Sequence, residues 1–433
     1  MTAPAALGVR DAAAQIRRGT LDPVELAEAC LERIRALDGR FAAWVHVDAE
    51  GARAAARERA TEARGGRFRG PLHGVPLGVK DIFDVAGLPT TAGAAAFAHT
   101  RPAADAASIA LLRGAGAVVL GKTHTTQFAY RDPAPTRNPW NTAHTPGGSS
   151  SGSAVAVAAG MVPLALGSQT VGSVLRPAAY CGVVGYKATH GLVPAAGVVP
   201  LAWSLDHVGL FARSVADVVQ ALGVLLGHPL EPVEARAPRL ALAPELLERA
   251  TPEVAAHVRA CAEAFARAGA RVEQVRLPAS FAGVHAAGQV VLEAEAAAYH
   301  APAFARHAAD YGPEVRKLVE TGLTVSAAAY IHANRARLAF REEVMPLLVA
   351  HDALLSPSAP APAPAGLAST GDAWHCAPWS FAGVPAISLP SGLTTSRLPL
   401  AVQLVQAAGA SARLLGVAGW CEGVLGPGAT PVP

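Results

Sequence analysis

A chain of 433 residues that is 51% hydrophobic and 16% charged can bury a large core and lies far from disordered composition. Its formal charge of +3 is small for that length and its basic residues are scattered, so there is no electrostatic footprint for nucleic acid. Length alone would allow two or three domains, but no internal repeat or composition shift divides the chain.

Asp22-Pro23 ahead of Val24-Glu25-Leu26 reads as a helix start, with Asp at the cap and Pro in the first turn. Leu26, Cys30, Ile34 and Leu37 then recur at helical spacing, and Ala52–Glu62 reads as a second, solvent-coated helix. Val75–Lys80 and Ala117–Lys122 are short apolar strands, and Ala106–Gly114 between them has helical periodicity ending in glycine. Strand, helix and strand in that order predict an α/β architecture. Further on, Ala216–Leu226 and Pro252–Ala268 read as helices, with Arg239–Ala243 and Ala270–Leu277 as strands around the latter. The proline-rich Pro357–Pro364 is too short for a linker and reads as a rigid loop across a site. The expectation is a single domain over 1–433, with 1–65 as an N-terminal helical segment packed on it.

Five cysteines are odd in number, far apart and without a CxxC pair, so neither a disulfide framework nor a zinc ribbon is expected. No His/Asp/Glu cluster has metal-ligand spacing, and neither a metal nor a cofactor is implied. No stretch approaches the roughly 20 apolar residues of a membrane span, and the N-terminal residues lack the apolar run of a secretory signal. A cytoplasmic protein with no membrane partner is expected.

Residues 147–177 are crowded with glycine and serine, and two serine-bearing loops, Gly147–Ser153 and Gly167–Arg176, flank a segment of small apolar residues. A glycine-rich structural turn is the plain reading. The alternative is covalent acyl transfer, which needs hydroxyls on backbone that can approach a substrate closely. Gly148–Gly152 formally matches G-x-S-x-G with Ser150 as nucleophile, but that motif needs a strand before it and Asn138–Pro146 reads as a loop. Lys80 ends an apolar strand, where it is either an edge charge or an amine neutral enough to act as a base.

Taken together, GVPLGVKD ending at Lys80-Asp81, PGGSSSGSA and GSQTVGSVLRPAAYCGVVG resemble the amidase signature family of serine hydrolases, over nearly the whole chain. The resemblance implies that family's fold, a mixed, mostly parallel twisted sheet covered by helices on both faces. It implies a triad of Ser173 as nucleophile, Ser149 as bridging serine on a cis peptide bond, and Lys80 as base. An oxyanion hole would come from backbone N–H groups of Thr170, Val171 and Gly172 leading into Ser173. Val171 departs from the family's usual glycine, and is strained only if the position needs positive φ.

In motif detail the chain is similar to the malonamidase branch, through Gln169, the S-V-x-R-P string and STGD at Ser369–Asp372. That likeness makes Arg176 the candidate clamp for a substrate carboxylate, against a competing internal ion pair or carbonyl contact near Pro177. Leu292 stands near the position where that branch has a glutamine. His144, His207, Asp81, Asp84 and Asp206 are read as structural groups around the site. The implied function is hydrolysis of a small amide, carboxylate-bearing or not, with a homodimer allowed. The alternatives are an A-type amidotransferase component working with partner chains and a catalytically weak binding homologue.

Overall fold

The computed structural model describes residues 3–94, 97–234 and 237–431. Among the described residues eleven strands form one sheet. They are β1 (Trp44–Val47), β2 (Pro76–Lys80), β3 (Val118–Thr123), β4 (Leu164–Gln169), β5 (Val184–Lys187) and β6 (His207–Ala212). Then follow β7 (Arg239–Leu242), β8 (Arg271–Gln274), β9 (Ala353–Pro357), β10 (Ala386–Leu393) and β11 (Pro399–Val405). Their order across the sheet is β1-β3-β2-β4-β6-β5-β10-β11-β9-β7-β8.

The mixed α/β sheet agrees with the expectation, but its pairing is mostly antiparallel. Among the described residues, parallel neighbours are confined to β3-β2-β4 and β9-β7-β8. Every other adjacent pair is antiparallel. The strand–helix–strand segment read from sequence does give a parallel pair, β2 with β3. The antiparallel majority comes from β1 on β3, from β6, which lies antiparallel to both β4 and β5, and from the run β5-β10-β11-β9. Their apolar runs do not betray direction, because strands buried on both faces lose the alternation that would reveal it.

Strand β4 shows how the sheet separates two cores. Leu164 and Leu166 face a cluster that includes Leu77, Val79 and Val218. Ala165 faces the other side, with Leu26, Cys30, Ile34 and Val155. The helix Pro23–Phe41 supplies Leu26, Cys30 and Ile34, which confirms its helical period, and its cap is the predicted one: the Asp22 carboxylate accepts from Val24 N–H at 2.8 Å. The small residues of the helix Ser151–Ala158 let it lie close on β4. At Gly152 a Cβ would stand 2.2 Å from the Ala43 carbonyl oxygen.

The segment Pro357–Pro364 does not cross the site as expected. Ala359 and Ala363 pack on Tyr180, and the Pro360 carbonyl accepts from Thr251 N–H at 2.7 Å. The loop that covers the cavity described next is residues 368–374.

Candidate active site

The parallel register of β2 and β4 sets Val79 opposite Leu166, which brings the end of β2 level with Gly167 and Ser168. Lys80, the last residue of β2, is fully buried there. Its Nζ lies 2.7 Å from Ser149 Oγ and 2.8 Å from Ser168 Oγ. Burial pushes the amine well below the ordinary lysine range, opposed by the Asp206 carboxylate. A neutral lysine can accept a proton, which a solvated one cannot do near neutral pH. Ser149 is itself buried and follows a cis peptide bond from Gly148.

Ser173 sits on the loop between β4 and the helix Leu175–Cys181, on the wall of a cavity of about 780 Å³. The Ser173 carbonyl accepts from Ser150 N–H at 3.4 Å, which joins the two serine loops. Among the described residues, no acceptor within the chain meets the N–H groups of Val171, Gly172 or Ser173. All three residues line the cavity, so the donors are available to a bound group there. The next two N–H groups, of Val174 and Leu175, are instead taken by the Gln169 side-chain oxygen at 2.9 and 3.0 Å. Gln169 also donates to Ser380 Oγ at 2.9 Å, and Ser380 donates to the Val171 carbonyl at 2.8 Å. The loop is therefore braced from behind while its front donors stay free.

Val171 is not among the residues with positive φ, so its departure from glycine carries no left-handed strain. Its side chain is partly buried against the apolar cluster that includes Leu205 and Trp379. Gly172 is the demanding position, since a Cβ there would stand 2.7 Å from that of Ala373.

Arg176 also lines the cavity, but its Nη atoms are committed. Nη1 donates to the Gly371 carbonyl at 2.6 Å, and Nη2 to the Gly148 carbonyl at 2.6 Å and Thr370 Oγ1 at 3.0 Å. This is the internal carbonyl contact weighed against a carboxylate clamp. Leu292 is on the wall as well, and one helical turn before it lies Gln289, which sequence reasoning passed over. Apolar side chains, Leu201, Leu205, Val284, Leu292 and Phe381, share the wall about equally with polar and charged ones such as Arg131, Asp132, Glu314 and Asp372. His144 is occupied with the Ala363 carbonyl at 2.8 Å and is not on the wall.

Two further roles came only from the fold. Ser168 is the second partner of Lys80. Asp206, read as a loop-fixing carboxylate, does accept from Leu201 and Ala202 N–H at 2.8 and 3.1 Å and from Thr170 Oγ1 at 2.5 Å. It also carries the charge that acts on Lys80. Burial raises it to about 6, against those hydrogen bonds. Asp81, beside Lys80 in sequence, pairs instead with buried Lys122 at 2.8 Å.

A family model described as Amidase matches residues 25–415. The chain belongs to the amidase family. It is 36% identical to an amidase of Pseudomonas putida, over 90% of each chain. It is also 36% identical to the glutamyl-tRNA(Gln) amidotransferase A subunit of Anaeromyxobacter sp. (strain K), over 97% of this chain and 96% of that one. Among solved structures it is similar to an amidase (35% identity, TM-score 0.91, covering 97% of this chain and 100% of the other). A peptide amidase in complex with the competitive inhibitor chymostatin is also similar (32% identity, TM-score 0.86, 99% of each chain). The amidase family read from the Lys80, Ser149 and Ser173 motifs is thus the family found, and the protein is an amide-hydrolysing enzyme. Among the described residues no helix is long and apolar enough to cross a membrane.

Proposed function

We propose that the enzyme hydrolyses a carboxamide C–N bond through an acyl-enzyme on Ser173, with Ser149 and Lys80 completing the triad. The observation that carries this reading is the buried Lys80–Ser149 hydrogen bond of 2.7 Å beneath a cavity edged by the free N–H groups of residues 171–173. Ser173 Oγ attacks the amide carbon while its proton passes through Ser149 to the neutral amine of Lys80. The carbonyl oxygen becomes an oxyanion held by N–H groups of the Thr170–Ser173 loop. The C–N bond then breaks, and the leaving nitrogen takes the proton back along the same path. Water, deprotonated by the same path, attacks the ester, and free acid leaves with Ser173 restored.

The cavity's volume favours an acyl group larger than malonamate, and its apolar patch at Leu201, Leu205, Val284, Leu292 and Phe381 would seat that group's uncharged part. The commitment of Arg176 to carbonyls and the apolar Leu292 also speak against a required substrate carboxylate. The experiment is ammonia release by the purified chain across neutral aliphatic, aryl and carboxylated amides. Turnover of neutral aryl or long aliphatic amides is expected, and activity on carboxylated short amides alone would refute the acyl-group assignment. The kinship with an amidotransferase component supports a second reading, in which the chain works with partner chains. Ammonia release by the isolated polypeptide decides against it, and activity appearing only with partner chains decides for it.

A further inference from the structure

Beyond Ser168, the second partner of Lys80, lies another cavity of about 10 Å³. Its polar wall includes Ser168, Asp206 and His207, and the rest is mostly apolar side chains such as Ile82, Val198 and Val208. Ser168 is the residue whose hydroxyl Lys80 Nζ meets at 2.8 Å. His207 turns Nδ1 to two carbonyls, of Leu205 at 2.6 Å and Gln169 at 3.1 Å, so Nδ1 carries the proton and Nε2 is an acceptor. That Nε2 is buried and has no hydrogen-bond partner among the described residues. A space of this size holds one water when it offers two or more polar partners, and Ser168, Asp206 and His207 offer three.

We propose that Asp206 is the counter-charge of Lys80, linked to it through Ser168 and one water held in this cavity. The proposal rests on Lys80 being the base, as set out above, and concerns what governs its charge. When Lys80 accepts the proton from Ser149, a full positive charge appears in a buried site that no bulk solvent reaches. The groups facing Lys80 are the Ser149 and Ser168 hydroxyls, and the charge acting on it is Asp206. Asp206 faces Thr170 and the N–H groups of Leu201 and Ala202. His207 stays neutral, pressed by burial and by the neighbouring Lys187 and His190. Asp206 is therefore the single anion available to the nascent ammonium among these groups. It stabilises protonated Lys80, and the two titrate as a pair.

Asp206→Asn keeps the side chain's size but removes the anion, so Lys80 should lose its proton at lower pH. The acidic limb of kcat/KM, read on a neutral amide, is expected to move down by about one pH unit, whatever happens to the plateau. Asp206→Glu, which keeps the charge, should leave the limb in place. An unmoved limb in Asp206→Asn overturns the coupling, even if the plateau collapses. Lys80→Met separates this from the catalytic reading: wild-type activity in that variant refutes Lys80 as base. If Lys80→Met is inactive and the Asp206→Asn limb is unmoved, only the coupling fails. Should Asp206→Asn not fold, the reciprocal measurement serves, a ¹³C titration of the Asp206 carboxyl in wild type and Lys80→Met. The carboxyl is expected to titrate higher without Lys80, and an unchanged titration overturns the coupling. High-resolution diffraction tests the water. Density within reach of Ser168, Asp206 and His207 is expected, and an empty cavity overturns the bridge.

Discussion

Replacing Arg176 with methionine separates its two readings. Methionine retains the length and packing of the side chain but none of its donors. The Gly148 carbonyl, fully enclosed, then loses its 2.6 Å partner, and an unpartnered buried acceptor costs about 1–3 kcal/mol. The Gly371 carbonyl is half-buried and water can replace its partner at a smaller cost. Part of the loss is offset, because burying the guanidinium leaves its Nε without a partner among the described residues of the wild type. The larger effect is positional. Gly148 leads into Ser149, and a shift of about 1 Å in a catalytic group is worth about 10²-fold in rate. The assay is kcat and KM on a matched pair of amides, one neutral and one carboxylated, together with the rate of fluorophosphonate labelling. A fall of about 10²-fold in kcat for both substrates, with KM little changed and labelling slowed, is expected. Loss confined to the carboxylated amide would refute the reasoning and restore Arg176 as a clamp.

The contrast between adjacent residues of the oxyanion loop gives a second prediction. Val171→Gly should preserve or raise kcat, because Val171 is free of left-handed strain. Gly172→Ala should lower kcat steeply, because its Cβ would meet Ala373 at 2.7 Å and Cys376 at 3.1 Å. Steady-state kinetics of the two variants check the pair, and the reverse order would contradict the assignment of the loop. A third concerns Lys187, fully buried at the end of β5 and donating to the Ala188 and Val384 carbonyls. Burial lowers it from 10.5 to about 7, so in that window the unfolded chain binds the extra proton and stability rises with pH. The contribution is fully present above about 10.5 and is lost as pH falls to about 7. Denaturant unfolding from pH 7 to 10 should show this slope in the wild type and a flatter one in Lys187→Met; equal slopes would refute it.

Much of the site was legible because its residues are of unusual type for their surroundings. A lysine closing an apolar strand and serines among glycines stand out in a linear pattern, and the motif spacing supplied their association. The helix Pro23–Phe41 was equally legible, since Asp22, Pro23 and the period of Leu26, Cys30 and Ile34 agree. Ser168 was not, because its meeting with Lys80 depends on the register of β2 against β4, which no local signal encodes. Asp206 looked like any loop carboxylate; its importance lies in the burial of Lys80, a tertiary fact. The role of Pro357–Pro364 was misjudged for a related reason. Proline fixes the backbone as extended, but which neighbour a rigid loop covers is set by packing, here on Tyr180. Strand direction was lost because strands buried on both faces carry no alternation.

Acylation of Ser173 can be read by intact-protein mass spectrometry during turnover of a slow aryl ester or amide. An added mass equal to the acyl group is expected, mapped to the peptide containing Ser173 and absent in Ser173→Ala. An adduct on Ser149 or Ser150, or undiminished amide turnover by Ser173→Ala, would contradict it.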